Sequence, residues 1–174
     1  PTRRSSDLVA WDPRGVYLGF AWHSPTPPAT VNESLNYLND AVELYIGVSH
    51  PPGKIAEADL HLIIDHANRA QVYPASGAPV DAGTRSIVTA VQATTGGFIA
   101  EAFMPREAFG APVLAANQPY AFELQIDEHQ FEQDGGKVRP AYWLFATPNP
   151  AIDPACKQPQ CDTGYWGTLL LLEP

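Results

Sequence analysis

At 174 residues the chain suits one domain that can bury a core without a metal or disulfide staple. Its 45% hydrophobic content excludes intrinsic disorder, no apolar run approaches the roughly 20 residues of a spanning helix, and 18 prolines argue against a helical bundle. A formal charge of −9 leaves little to neutralise phosphates and disfavours a nucleic-acid or anionic-membrane partner, so an acidic, loop-rich β domain remains.

Residues 1–8, Pro-Thr-Arg-Arg-Ser-Ser-Asp-Leu, resemble the in-frame translation of a sequencing-library adapter and are set aside as a non-native scar, with a natural basic arm as the alternative. On that expectation the domain is 9–174, cut at its N-terminal end. Val9–Trp11 and Val16–Trp22 flank Asp12-Pro13-Arg14-Gly15 and predict a hairpin. A Pro-rich loop, 24–36, leads to predicted strands at Ala41–Val48, Leu60–Asp65, Gln71–Tyr73, Ile87–Ala93 and Phe98–Phe103. A short helical turn at Arg106–Phe109 precedes strands at Tyr120–Asp127, Ala141–Ala146 and Gly167–Leu172. About ten strands with almost no helix predict an all-β, antiparallel, jelly-roll-like sandwich.

Side-chain parity sorts three strands into two faces. Val42, Leu44 and Ile46 oppose Glu43 and Tyr45; Leu60, Leu62 and Ile64 oppose His61 and Asp65; Tyr120, Phe122, Leu124 and Ile126 oppose Glu123, Gln125 and Asp127. The polar faces read either as a solvated exterior or as an aromatic-edged concave surface for a neutral polyhydroxy ligand. Parity leaves that choice open.

Four segments in order resemble one family. Val9-Ala10-Trp11-Asp12 with Val16-Tyr17-Leu18 resembles the opening strand–turn–strand of family 9 carbohydrate-binding modules, and Asn39–Ile46 resembles their D-x-V-E-hydrophobic strand. Thr95-Gly96-Gly97-Phe98-Ile99-Ala100-Glu101-Ala102-Phe103-Met104-Pro105 is similar to the G-G-Y-x-x-E-A-x-I-P segment, and Phe122–Asp127, Trp143 and Trp166-Gly167-Thr168-Leu169 match the closing strands. The resemblance implies a non-catalytic β-sandwich that binds an oligo- or polysaccharide. It further implies a monomeric accessory module of an exported xylanase-type glycoside hydrolase or sugar-surface protein, placed outside the cell, in the periplasm or on the cell surface. Carried over by position, Tyr37 stacks on the sugar, Glu43 and Gln125 bond its hydroxyls, and His61 stands nearest to an expected basic residue. Apolar ring contact plus directional polar partners is what a desolvated pyranose requires. The loop 148–154 lacks the second clamp ring, and the insertion 155–162 is positioned to bring in Tyr165 or Trp166. Relatives can carry structural calcium, although no ligand set for it emerges from spacing.

Cys156 and Cys161 bracket Lys-Gln-Pro-Gln, where a local disulfide fits an exported protein and a reduced surface pair is the alternative. The five histidines show no HExxH spacing, and His61 and His66 fall on opposite sides of a strand. Asp12, Glu43, Glu101 and Asp127 are the carboxylates near strands, but no spacing pairs two of them for glycoside hydrolysis. Two rival expectations stand: a haem-binding electron-transfer domain of the same fold group, or an interaction module without a small ligand. Met104 is the one methionine able to serve haem, and core packing is its expected role.

Overall fold

The computed structural model describes residues 5–23, 34, 36, 39–48, 55–129, 138–143 and 166–172, with the backbone alone at 5–7, 128–129 and 138–143. Alternation builds the first sheet. Val16, Leu18, Phe20 and Trp22 of β2 (Gly15–His23) pair with Met104, Ala102, Ala100 and Phe98 of β8 (Gly97–Pro105), and all eight are buried. Adding β1 (Ser5–Asp12) and β7 (Val88–Thr94) gives an antiparallel sheet in the order β1-β2-β8-β7.

The second sheet runs β10-β9-β3-β4-β5-β6. Its members are β3 (Ala41–Val48), β4 (Leu60–Asp65), β5 (Ala70–Val72), β6 (Val80–Asp81), β9 (Pro119–His129) and β10 (Val138–Trp143). A further strand, β11 (Gly167–Leu170), takes the first half of the β9 edge, and β10 takes the second half. The apolar parity sets predicted from sequence all enter one core between the sheets, joined by Val72, Phe109 and Leu171. Met104 is fully buried there. Trp11 donates from Nε1 to the Leu172 carbonyl at 2.7 Å, which ties β1 to the chain just beyond β11.

Turn chemistry explains both hairpins of the first sheet. Asp12 accepts from the Arg14 backbone N–H at 2.7 Å and from the Arg14 guanidinium Nη2 at 2.6 Å, and those bonds hold its carboxyl down at about 2. Between β7 and β8, Gly96 sits at φ +80°, in the left-handed region. Gly97 follows because a Cβ there would overlap the Trp22 carbonyl oxygen across the sheet.

The predicted two-sheet β-sandwich is present, with three differences in detail. The described residues form eleven strands and two isolated 3-10 turns rather than ten strands and one turn. The additional pieces are β6 and the turn Ala82–Arg85, which Asp81 caps by accepting from Gly83 N at 2.8 Å. A two-residue strand is too short to show a period. β10 starts three residues before its predicted bound, spanning Pro140 with a register shift at that point, as fits a proline on a half-free edge strand. β1 starts at Ser5, so Ser5–Leu8 pair with Trp22–Gly19.

Candidate functional site

β3 lies between β4 and β9, and its even residues fill the core. Its odd residues meet polar neighbours across both ladders. Glu43 stands opposite Gln125, Tyr45 stands between His61 and Glu123, and Ala41 stands opposite Asp127. A single antiparallel register thus gathers Glu43, Tyr45, His61, Glu123, Gln125 and Asp127 on the face turned away from the core. That face is no solvated exterior. Glu43 is 6% exposed, His61 8%, Gln125 5% and Asp127 2%.

The buried groups are linked. Glu43 accepts from the Tyr45 hydroxyl, and His61 Nε2 shares a hydrogen bond with Glu43 Oε2 at 2.9 Å. Gln125 Nε2 donates to Asp127 Oδ1, and the Glu43 and Asp127 carboxyl groups lie close enough to perturb each other's ionisation. The Tyr45 and His61 rings stack at 4.2 Å with 18° between planes. Among the described residues, buried Gln125 Oε1 finds no hydrogen-bond partner, an exception among buried polar atoms.

Burial dominates the protonation of these groups. It raises Glu43 above its ordinary range, against hydrogen bonds from Asp127 and Tyr45 that favour the anion. Asp127 is raised well above its ordinary value, first by burial and then by the neighbouring Glu43 charge. His61 is pushed down to about 3 by burial, so its contact with Glu43 is a hydrogen bond involving neutral imidazole rather than an ion pair. Tyr45 is raised well above its ordinary value by burial and the Glu43 charge, and stays a donor.

Aromatic rings border the cluster. Tyr73 lies 5.3 Å from His61 and Trp166 lies 5.6 Å from Tyr45, measured between ring centroids. Trp166 follows the insertion 155–162, where the sequence pointed for an additional ring. The Tyr73 hydroxyl donates to Asn36 Oδ1 at 2.8 Å, and Asn36 Nδ2 donates to the Ile63 carbonyl at 2.7 Å, anchoring the chain immediately before residue 37. Asp65, on the same parity, serves the β4–β5 turn instead: it accepts from the Ala67 and Arg69 backbone N–H groups and from the Arg69 side chain.

Of the residues singled out from sequence, Glu43, His61 and Gln125 come together. Tyr37 lies outside the described residues, as do Cys156 and Cys161. Tyr45 and Asp127 belong to the cluster although sequence reasoning gave them no site role. Their signal was available, since each lies two residues from a chosen residue on the same strand. Asp12 and Glu101 are elsewhere, in the first hairpin and on the exposed face of β8. Among the described residues no group of three His, Cys, Asp or Glu is arranged to hold a metal ion. A groove of about 560 Å³ on the outer face of the first sheet, lined by Tyr17, Gly19 and Phe103 among others, shares no residue with the cluster.

Fold and site define a class: a two-sheet antiparallel sandwich with a buried, acceptor-rich polar cluster on the outer face of one sheet, edged by rings. Solved structures share the fold. The chain is similar over 100% of its length to a family 9 carbohydrate-binding module from Caldicellulosiruptor kristjanssonii in complex with cellotriose, at TM-score 0.75 and 15% identity, covering 77% of that chain. The same kind of module from that organism in complex with glucose gives TM-score 0.75 and 16% identity, with 100% of this chain and 79% of that one covered. A candidate carbohydrate-binding protein from Bacteroides uniformis follows at TM-score 0.62 and 10% identity, covering 98% and 79%. At these identities the likeness is one of fold. No family model and no curated protein matches the sequence.

Proposed function

We propose that this domain is a non-catalytic carbohydrate-binding module whose site is the Glu43–His61–Gln125 face. The observation that carries the proposal is the buried Gln125 Oε1, without a partner among the described residues, on a face that also holds Glu43 and Asp127 and whose Tyr45–His61 stack is edged by Tyr73 and Trp166. An orphaned buried acceptor is costly, and a sugar hydroxyl is the kind of donor that satisfies it. The rings supply apolar contact for the C–H face of a pyranose. Support also comes from the fold, which is shared with modules solved with cellotriose and glucose. In this reading Tyr37 adds a stacking ring, and the module serves an exported protein acting on a polysaccharide such as xylan.

The test is calorimetric titration of cello- and xylo-oligosaccharides against the wild type, Gln125→Ala and Tyr37→Ala. Saturable heat with at least one series is expected, weakened about tenfold or more in Gln125→Ala, which corresponds to one lost buried hydrogen bond. Absence of heat from every glycan overturns the proposal.

A further inference from the structure

We propose that the open trough on the outer face of the first sheet is a second binding site, for an amine-bearing sugar residue, in which Glu101 takes the ammonium while Tyr17 and Phe103 take the apolar side of the ring. That a sugar carries the amine rests on the carbohydrate-binding reading; the preference for a cation beside aromatic rings does not.

The pairing register builds the trough. Across the sheet one row reads Leu8, Gly19, Glu101 and Ala90, and the next sets Tyr17 beside Phe103. These positions alternate with the core residues of β2 and β8 and so stand on the outer face. A sheet face that meets water is ordinarily polar. Here Val88 is 65% exposed, and Glu101 is the one charged side chain in the two rows. Leu8 belongs to the adapter-like segment, so β2 and β8 carry the assignment. Two glycines shape the surface. A Cβ at Gly15 would fall 2.6 Å from the Phe103 ring, which lies over that glycine and packs on Tyr17 with centroids 4.7 Å apart. The Tyr17 hydroxyl is held at the same end, accepting from Arg14 Nη2 at 2.9 Å and donating to Asp12 Oδ2 at 3.1 Å. Over Gly19, by contrast, a Cβ would meet nothing within 4 Å. The floor is therefore open beside Glu101, its ladder partner, with the ring pair one step along the strands. Its volume of about 560 Å³ is that of a small-ligand site.

Charge selects the occupant. Asp12 is paired with Arg14, whereas Glu101 is exposed and makes no hydrogen bond or ion pair among the described residues. In a chain of formal charge −9, a carboxylate without a counter-ion and the faces of two rings all attract positive charge. An anionic ligand is repelled, and a wholly apolar one strips water from Glu101 without replacing it. A neutral sugar packs on the rings but gains no charge-assisted bond. A hexosamine residue meets every part of the trough, its C–H face against the rings and its ammonium against Glu101. The trough and the Glu43–His61–Gln125 face lie on opposite sides of the sandwich, so both can be filled at once.

Backbone amide shifts of the wild type, Glu101→Gln and Gly19→Val are followed by NMR during titration with a β-linked glucosamine trimer, its fully N-acetylated form, cellotriose and n-butylammonium. The glucosamine trimer should shift the Gly19, Glu101 and Phe103 amides saturably, and the N-acetylated form should bind about fivefold or more weaker. Glu101→Gln should bind the glucosamine trimer about threefold to fivefold weaker, as fits an exposed ion pair, and high salt should shrink that difference. Gly19→Val suits a strand and fills the open floor without a clash, so it should cost about tenfold or more. If that variant does not fold, Glu101→Gln alone decides. No shift in the trough, equal binding of the amine and its acetylated form, or wild-type affinity in Glu101→Gln overturns the proposal. Trough shifts with n-butylammonium but not with the glucosamine trimer overturn the assignment to a sugar. Broadening of the same amides with rising protein concentration, without ligand, shows that a second copy covers the face and also overturns it. If no glycan shifts the amides around Glu43 and Gln125, the carbohydrate reading of that face fails, while the glucosamine titration still decides the trough.

Discussion

Tyr45→Phe removes one oxygen from the centre of the cluster and leaves everything else in place. The ring keeps its stack on His61 at 4.2 Å and its contact with Trp166 at 5.6 Å, so the change deletes only the hydroxyl bond to Glu43. A hydrogen bond to a charged group nets about 1.5–3 kcal/mol. Glu43 keeps its hydrogen bond with His61 and is not orphaned, which sets the expected loss near the middle, about 2 kcal/mol. For a chain of this size that is about 4–8 °C in Tm. The loss also depends on pH. Burial raises Glu43, and the Tyr45 bond opposes that rise, so the bond is at full strength above the folded-state pKa of Glu43, where it is ionised. As pH falls through that value the bond becomes a neutral one of about 1 kcal/mol, and the difference between the two proteins shrinks. Urea unfolding at about pH 8 and at about pH 4, compared at equal m-value, measures both quantities. A loss below about 0.5 kcal/mol, or one that is the same at both pH values, would refute the reasoning.

His61→Gln keeps an N–H near Glu43 but cannot be protonated. Wild-type His61 is neutral down to about 3, whereas the unfolded chain takes up its proton at about 6.5, so wild-type stability falls as pH drops between those values, by up to about 5 kcal/mol. Asp127 and Glu43 oppose that slope in the acid range, and the glutamine variant should flatten the His61 limb alone, read as the difference between denaturation curves at each pH. Arg69→Ala removes the guanidinium bonds to fully buried Asp65, at 2.7 Å from Nε and 2.6 Å from Nη2. The expected cost is about 2 kcal/mol, below the about 3–5 of an orphaned buried charge, because Asp65 keeps its backbone donors and Asn39; an unchanged melting temperature would contradict this role. Gly97→Ala drives a methyl group into the Trp22 carbonyl and must part β2 from β8, at about 2–4 kcal/mol by chemical denaturation, with Gly19→Ala, where a Cβ meets nothing within 4 Å, as the mild control.

The two-sheet fold was legible because the apolar alternation in β2, β3, β4, β8 and β9 is nearly unbroken, and each of those strands is bounded by turn chemistry. Parity also assigned Glu43, His61 and Gln125 to polar faces before any register was known. What it could not supply was depth. A strand with polar alternate residues looks the same whether that face meets water or protein, and only the pairing of β3 with both β4 and β9 shows that these polar groups are buried against one another. Asp127 and Tyr45 were overlooked for the same reason, since their importance lies in which buried side chains of β3, β4 and β9 the register brings together rather than in any local motif. The two-residue β6 lacked a readable period, and the start of β10 across Pro140 fell before the predicted strand; both follow from partners on neighbouring strands.

β3 and its partner β9 are separated by about 70 residues of intervening sequence, and this interval matters on the ribosome. At about 5–20 residues per second, β3 is complete for several seconds before β9 emerges to pair with it. Throughout that time Val42, Leu44, Tyr45 and Ile46 form part of a nascent strand with one unpaired edge, the kind of segment that seeds association between copies. Glu43 interrupts it. While the chain is incomplete this carboxylate is hydrated and charged, and it makes stacking one β3 on another unfavourable. Once β9 arrives, the same residue is desolvated and enclosed by Tyr45, His61 and Asp127. The same side chain that is hydrated before β9 pairs thus ends within the buried polar cluster.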